Sequence, residues 1–170
     1  MKKLLIALIL VLVLTFGMAM PVFALTTADV DVTATPAYVT ISCNQPSYDF
    51  GVVAESANLT TTTNWATITN GSTVQTDQTI SVTAATWSGG VTWTHSDTAT
   101  PGVDTAALKT NRGGTWGIGD ITIKNAAPLY IYENCPASTG YSFGLNLYAP
   151  TSFGDGVEKA ITVRVTAAAG

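Results

Sequence analysis

Between Tyr141 and Leu147 every second residue is large and apolar (Tyr141, Phe143, Leu145, Leu147), and Ser, Gly and Asn stand between them. Alternation with period two gives an extended strand one apolar face, whereas the apolar positions of a helix recur every three or four residues. The same pattern returns along the chain. Val39, Ile41 and Cys43 share a phase, as do Leu129, Ile131 and Cys135, while Ile161, Val163 and Val165 leave Thr162, Arg164 and Thr166 to water. Gly, Pro, Asn or Asp interrupts the alternation every 8 to 15 residues, which predicts strands over 29–33, 38–43, 48–53, 65–69, 78–86, 90–94, 120–124, 129–133, 141–148 and 159–166. The expected fold is all-β, a two-sheet antiparallel sandwich of Ig-like or jelly-roll form. One short helical turn is expected near 104–109, entered through Pro101-Gly102 with Asp104 as its cap.

The first residues read as a processing signal. Lys2 and Lys3 precede an apolar stretch of 13 residues, Leu4 to Phe16, and Val22-Phe23-Ala24 fits a cleavage site. The stretch falls short of the roughly 20 residues that span a bilayer. Cleavage after Ala24 would leave 170 − 24 = 146 residues, 25–170, one sandwich domain that is secreted and not inserted in a membrane. Of those 146 residues 28 are threonine, which with valine and isoleucine suits a pleated, half-solvated surface. Five basic residues then face eleven acidic ones, a formal charge of 5 − 11 = −6 with the signs scattered. Nucleic acid is therefore not an expected partner, because it calls for clustered basic side chains.

Cys43 and Cys135 are the only cysteines. In an exported chain a lone pair reads as one disulfide, here a buried bridge between strands or sheets. No cofactor or metal is expected. Two cysteines without CxxC spacing and a single histidine do not compose a zinc site, and Asp29 with Asp31 reads as a solvated edge rather than a calcium site because no glycine-bearing ligand loop follows.

His95-Ser96-Asp97 carries the letters of a hydrolase triad, but neighbouring strand residues point to opposite faces and cannot share one proton path. Glu55, Glu133 and Glu158 form no recognisable acid pair, and the glycine-rich 113–119 precedes a strand where a phosphate loop would open a helix. The chain is read as non-enzymatic. Asn58-Leu59-Thr60 and Asn70-Gly71-Ser72 fit the glycosylation sequon, and Asn70-Gly71 is also a turn signal.

Tryptophan offers more. Parity with Ile80 and Val82 points Trp87 outward, parity with Ala66 and Ile68 does the same for Trp65, Val91 and Trp93 share the core face, and Trp116 lies in the glycine-rich loop. Trp65, Trp87 and Trp116 are thus candidates for a ligand or subunit surface, with packing on a neighbouring strand as the competing reading. Ala28, Val30, Val32 and Ala34 form an amphipathic N-terminal strand that either pairs in its own sheet or is donated to a neighbouring copy. Ser88-Gly89-Gly90 is the expected hairpin turn.

The succession "YDFGVV", "ATITNGSTVQTDQTISVTAATW", "YSFGLNLYAPTSF" and "AITVRVTA" resembles secreted bacterial and archaeal β-sandwich domains of surface and filament proteins. Trp93-Thr94-His95 resembles the Trp-x-Leu element of cell-wall WxL domains, with histidine in place of leucine, and leader and sandwich are similar to camelysin-type filament proteins. The resemblance implies a structural or adhesive component of the cell surface, envelope or an extracellular fibre. Its partners would be copies of itself or other surface proteins. The alternative expectation is a carbohydrate-binding module that holds polysaccharide on exposed tryptophans.

Overall fold

The computed structural model describes residues 33–34, 36–125 and 127–170. The chain divides into Met1–Thr35 and Pro36–Gly170. The predicted leader and three of the four donor-strand residues, Ala28, Val30 and Val32, lie outside the described residues, as do Asp29 and Asp31; Ala34 is exposed and outside any strand.

Pro36–Gly170 is all-β and its strands form two sheets, the sandwich-like class read from the alternation. The strands are β1 (Ile41–Cys43), β2 (Asn58–Thr60), β3 (Ala66–Asn70), β4 (Thr76–Val82), β5 (Thr94–His95), β6 (Thr105–Asn111), β7 (Ile121–Thr122), β8 (Leu129–Cys135), β9 (Gly140–Tyr148) and β10 (Val163–Ala169). The larger sheet runs β1-β3-β9-β6-β5, with β2 also on β9 and β7 also on β6, and the smaller runs β10-β4-β8. β2 and β3 pair in succession along β9, at Asn146–Tyr148 and Gly140–Phe143, while β6 takes Gly144–Tyr148.

The core lies between the two sheets. Phe143, Leu145 and Leu147 of β9, Ala106 and Leu108 of β6 and Ile68 of β3 meet Ile80 and Val82 of β4 and Ile131 of β8. The apolar phase read in the sequence for β9 is therefore its core face.

Asn70 ties the sheets together. It ends β3, is fully buried, and its Nδ2 donates to the carbonyls of Cys135 (2.9 Å), Pro136 (3.1 Å) and Val74 (3.2 Å). Its Oδ1 accepts the Ser72 N–H at 2.9 Å, the side-chain-to-backbone bond that shapes the Asn70-Gly71 turn. The first sequon asparagine, Asn58, is exposed on β2, whereas Asn70 has no free amide edge to modify.

Four expectations are corrected. Residues 105–111 form a central strand, not a helical turn: Ala106, Leu108 and Thr110 are buried, and Asp104, at φ 47°, caps nothing. Local preference for helix in Ala-Ala-Leu-Lys gives way to a five-residue ladder with β9. Residues 48–53 form no strand, and of 90–94 only Thr94 is in one. Val91 is exposed, not core.

The fourth correction concerns the cysteines, which are unbonded. Cys43 is exposed on the edge strand β1 and its thiol donates to the Gln45 carbonyl at 3.3 Å, while Cys135 is fully buried at the end of β8 in the other sheet. Period-two phase gives the face that a side chain leaves, but not the strand that it meets. Burial, with Asp77 nearby, raises the Cys135 thiol above its ordinary pKa.

Two outcomes follow from this arrangement. A thiol reagent should modify one cysteine of the folded chain, Cys43, and reach Cys135 only on denaturation. Asn70→Ala should cost about 2–3 kcal/mol in a denaturant melt, because it strips buried carbonyls of their donor.

Candidate binding surfaces

Trp87 points into the core, opposite to the sequence expectation, and is 7% exposed. Parity with Ile80 and Val82 does not extend to position 87, because β4 ends at Val82 and exposed residues 83–86 reset the phase. Beyond them Trp87 N–H donates to the Trp93 carbonyl at 2.8 Å, with Thr86 bridged to Thr94. The two indoles meet edge to face at 6.0 Å. Between them lies the expected turn, with Gly89 and Gly90 at φ 101° and 50°.

That turn is fastened to the chain before β10. Ser88 and Ala160 exchange backbone hydrogen bonds of 2.8 and 3.0 Å. Lys159 Nζ donates to the Gly89 carbonyl (2.7 Å) and to Asp155 Oδ1 (2.6 Å), and lies 5.9 Å from the Trp93 ring centroid. Asp155 Oδ2 accepts the Val91 N–H. A Cβ on Gly90 would stand 2.0 Å from that carboxylate oxygen, so the contact requires glycine. A groove of about 210 Å³ runs beside this junction, lined by Thr83, Thr86, Ser88 and Thr162 among others.

The His95 and Asp97 side chains stand near one another, while Ser96 turns toward Thr98. His95 is buried with Nε2 at 2.8 Å from the Ile123 carbonyl, which requires that nitrogen to carry the proton, and Nε2 is 3.9 Å from Asp97 Oδ1. Ser96 Oγ meets Thr98 Oγ1 at 3.2 Å, and Asp97 Oδ1 accepts the Asn125 N–H at 2.8 Å. Among the described residues no group of three His, Cys, Asp or Glu side chains is placed to hold a metal ion.

Trp65 is half-buried. It packs edge-on between Tyr48 (5.2 Å) and the core residue Phe143 (6.0 Å), with Phe50 beyond Tyr48. Tyr132 stacks on Tyr141 at 4.6 Å, donates its hydroxyl to the Ser142 carbonyl, and has its pKa pushed up to about 12 by burial.

Trp116 is half-buried, like Trp65, and packs on the large sheet. The face of β9 turned away from the small sheet carries Gly144, Asn146 and Tyr148, with Lys109 of β6 paired to Asn146 and Thr60 of β2 paired to it on the other side. The 113–119 loop folds back at this face, where Asn111 binds it through the Gly114 carbonyl (3.0 Å) and the Gly113 N–H (3.3 Å). Trp116 Nε1 donates to the Thr61 carbonyl at 3.2 Å, and a Cβ on Gly144 would lie 2.9 Å from the ring. Farther along the strand Lys109 Nζ stands 5.1 Å from the Tyr148 ring centroid. Asn146 is 3% exposed and its Oδ1 has no hydrogen-bond donor among the described residues. The sequence reading missed Lys109, Asn146 and Tyr148, although the alternation that made Leu145 and Leu147 core already placed Asn146 and Tyr148 on the opposite face.

The chain matches no protein-family model, no curated protein and no solved structure.

The Asp155 junction titrates. The Lys159 hydrogen bond, reinforced by the Val91 N–H, holds the Asp155 carboxyl below the usual carboxylate range. A depressed folded-state pKa contributes stability that is complete above the ordinary value of about 3.9 and is lost as pH falls through the lower folded value. Asp155→Asn should therefore lower Tm at neutral pH and shrink the fall in Tm on acidification to about pH 2.5.

Proposed function

We propose that this protein is an exported, non-enzymatic structural component that assembles with copies of itself on a cell surface, in an envelope or in an extracellular fibre. The observation that carries this reading is the free edge of β10. All seven residues of β10 pair in regular register with β4, and among the described residues no strand pairs with its other side. Its exposed positions, Arg164, Thr166, Ala168 and Ala169, are small apart from one arginine. A long, regular edge bearing small side chains is a template for strand addition.

The opposite edge of the same sheet is blunted. The register of β8 shifts twice against β4, and Arg112 donates to the Tyr130 carbonyl at 3.2 Å. Association through β10 is thus favoured over association through β8. The amphipathic segment with Ala28, Val30, Val32 and Ala34 is the strand that this chain would donate to β10 of the next copy. Export rests on the leader-like residues 1–24, and no helix among the described residues is long and apolar enough to cross a membrane.

The test compares the chain without residues 1–24 with a Thr166→Lys, Ala168→Lys double variant and with deletion of 25–34. Size-exclusion chromatography and negative-stain imaging should show assemblies for the first and folded monomers for the other two. Assemblies of unchanged size in both variants, or a parent that stays monomeric at millimolar concentration, would overturn the proposal.

A further inference from the structure

The two faces of β10 offer different chemistry to a strand laid beside it. Toward the core, Val163 and Val165, with Ile161 just before them, pack against the buried cluster yet stay half-buried, and Ala167 is half-buried after them. Toward solvent stand Arg164, Thr166 and Ala168. Arg164 is the only charged residue of the strand, and no carboxylate among the described residues comes within ion-pair distance of it. An incoming strand therefore meets an apolar flank on one side of the sheet and an unpaired cation on the other.

Residues 25–34 carry the complement. Asp29 and Asp31 are the only charged residues from 25 to 48, and they alternate with Ala28, Val30, Val32 and Ala34. As a strand, the segment would hold these four apolar side chains on one face and the two carboxylates on the other, together with Thr27 and Thr33. Residues directly opposite each other in a strand pair lie on the same side of the sheet. The apolar four can thus cover the core side of β10 only with both carboxylates on the side of Arg164.

Matching both faces fixes a register. In antiparallel addition, Asp31 opposite Arg164 sets Val32 against Val163, Val30 against Val165 and Ala28 against Ala167, with Asp29 opposite Thr166 and diagonal to the guanidinium. A slip of two residues, bringing Asp29 opposite Arg164, would set Thr26 against Ala167 on the apolar side. A parallel strand with Asp31 opposite Arg164 would bring Pro36, which has no N–H to give, opposite Ala169, whereas the antiparallel strand leaves Pro36 beyond the start of β10. Antiparallel addition also continues the pattern of β10-β4-β8. We infer that Arg164 selects the partner and register of the β10 edge by receiving Asp31 from residues 25–34 of a neighbouring copy, added antiparallel. This pairing presupposes the assembly through β10 described under the proposed function.

The experiment measures, by light scattering, the concentration at which the chain without residues 1–24 begins to assemble. Arg164→Asp or Asp31→Arg alone sets like charges opposite one another and should raise that concentration about tenfold, while the circular-dichroism melt of the dilute monomer is unchanged. The two variants mixed should assemble at the parent's concentration, because each supplies the charge that the other's edge or segment now needs, and the double variant should do the same. In a Cys43→Ser background, Thr27→Cys with Ala168→Cys should link copies by a disulfide on air oxidation, and Thr35→Cys with Ala168→Cys should not. Single variants that assemble as the parent does, a mixture no better than either alone, or linkage of the 35–168 pair instead of the 27–168 pair overturns this register while assembly through β10 stands. A parent that stays monomeric, or a link formed within one copy, overturns both.

Discussion

Five consecutive residues of β9, Phe143 to Leu147, are buried, and no single layer can bury both faces of a strand. Most of the molecule follows from that constraint. The small sheet covers the Phe143, Leu145 and Leu147 face, and the Trp116 loop reaches Gly144 on the other. Both edges are occupied as well, by β2 and β3 on one side and β6 on the other. Where β2 gives way to β3, the Thr61 hydroxyl accepts the Leu145 N–H at 2.9 Å and keeps the ladder satisfied across the break.

Around this centre the two sheets are joined by a few directed contacts as well as by apolar burial. Asn70 links the end of β3 to the end of β8, and the Val82 N–H donates to the Lys124 carbonyl at 3.1 Å just after β7. Lys159 and Asp155 hold the 88–90 turn against the chain leading into β10. Hydrogen bonds of this type contribute modest net energy but have a fixed geometry, so they choose the arrangement of the layers while the apolar core supplies the drive to form them.

Alternation made the class of fold and the core face of β9 legible, and glycine at 89 and 90 marked the turn correctly. Where a strand ends was not legible, and each orientation error traces to that. Parity carried across residues 83–86 reversed Trp87, and the reading of 104–109 as helix weighed local propensity against a ladder with β9 that only the folded chain displays. The expected disulfide rests on a lone cysteine pair in an exported chain and on shared apolar phase, neither of which supplies the proximity that a bridge needs. Lys109 joined the candidate surface through register between distant strands, which one sequence does not encode in any local pattern. Asn146 and Tyr148 were within reach, because the outer face of a strand is fixed once its inner face is known.

The residue that sets the outer surface has no side chain. At Gly144 the indole of Trp116 comes within the space that a methyl group would fill, and Thr62 O lies 2.6 Å from the same point. The indole's seat is thus made of backbone and touches the sheet from the side away from the core. The surface and the sandwich are in this sense separable parts of one strand: a chain could gain or lose the aromatic platform by changing one small residue and its loop, while the apolar row of Phe143, Leu145 and Leu147 continued to specify the same fold.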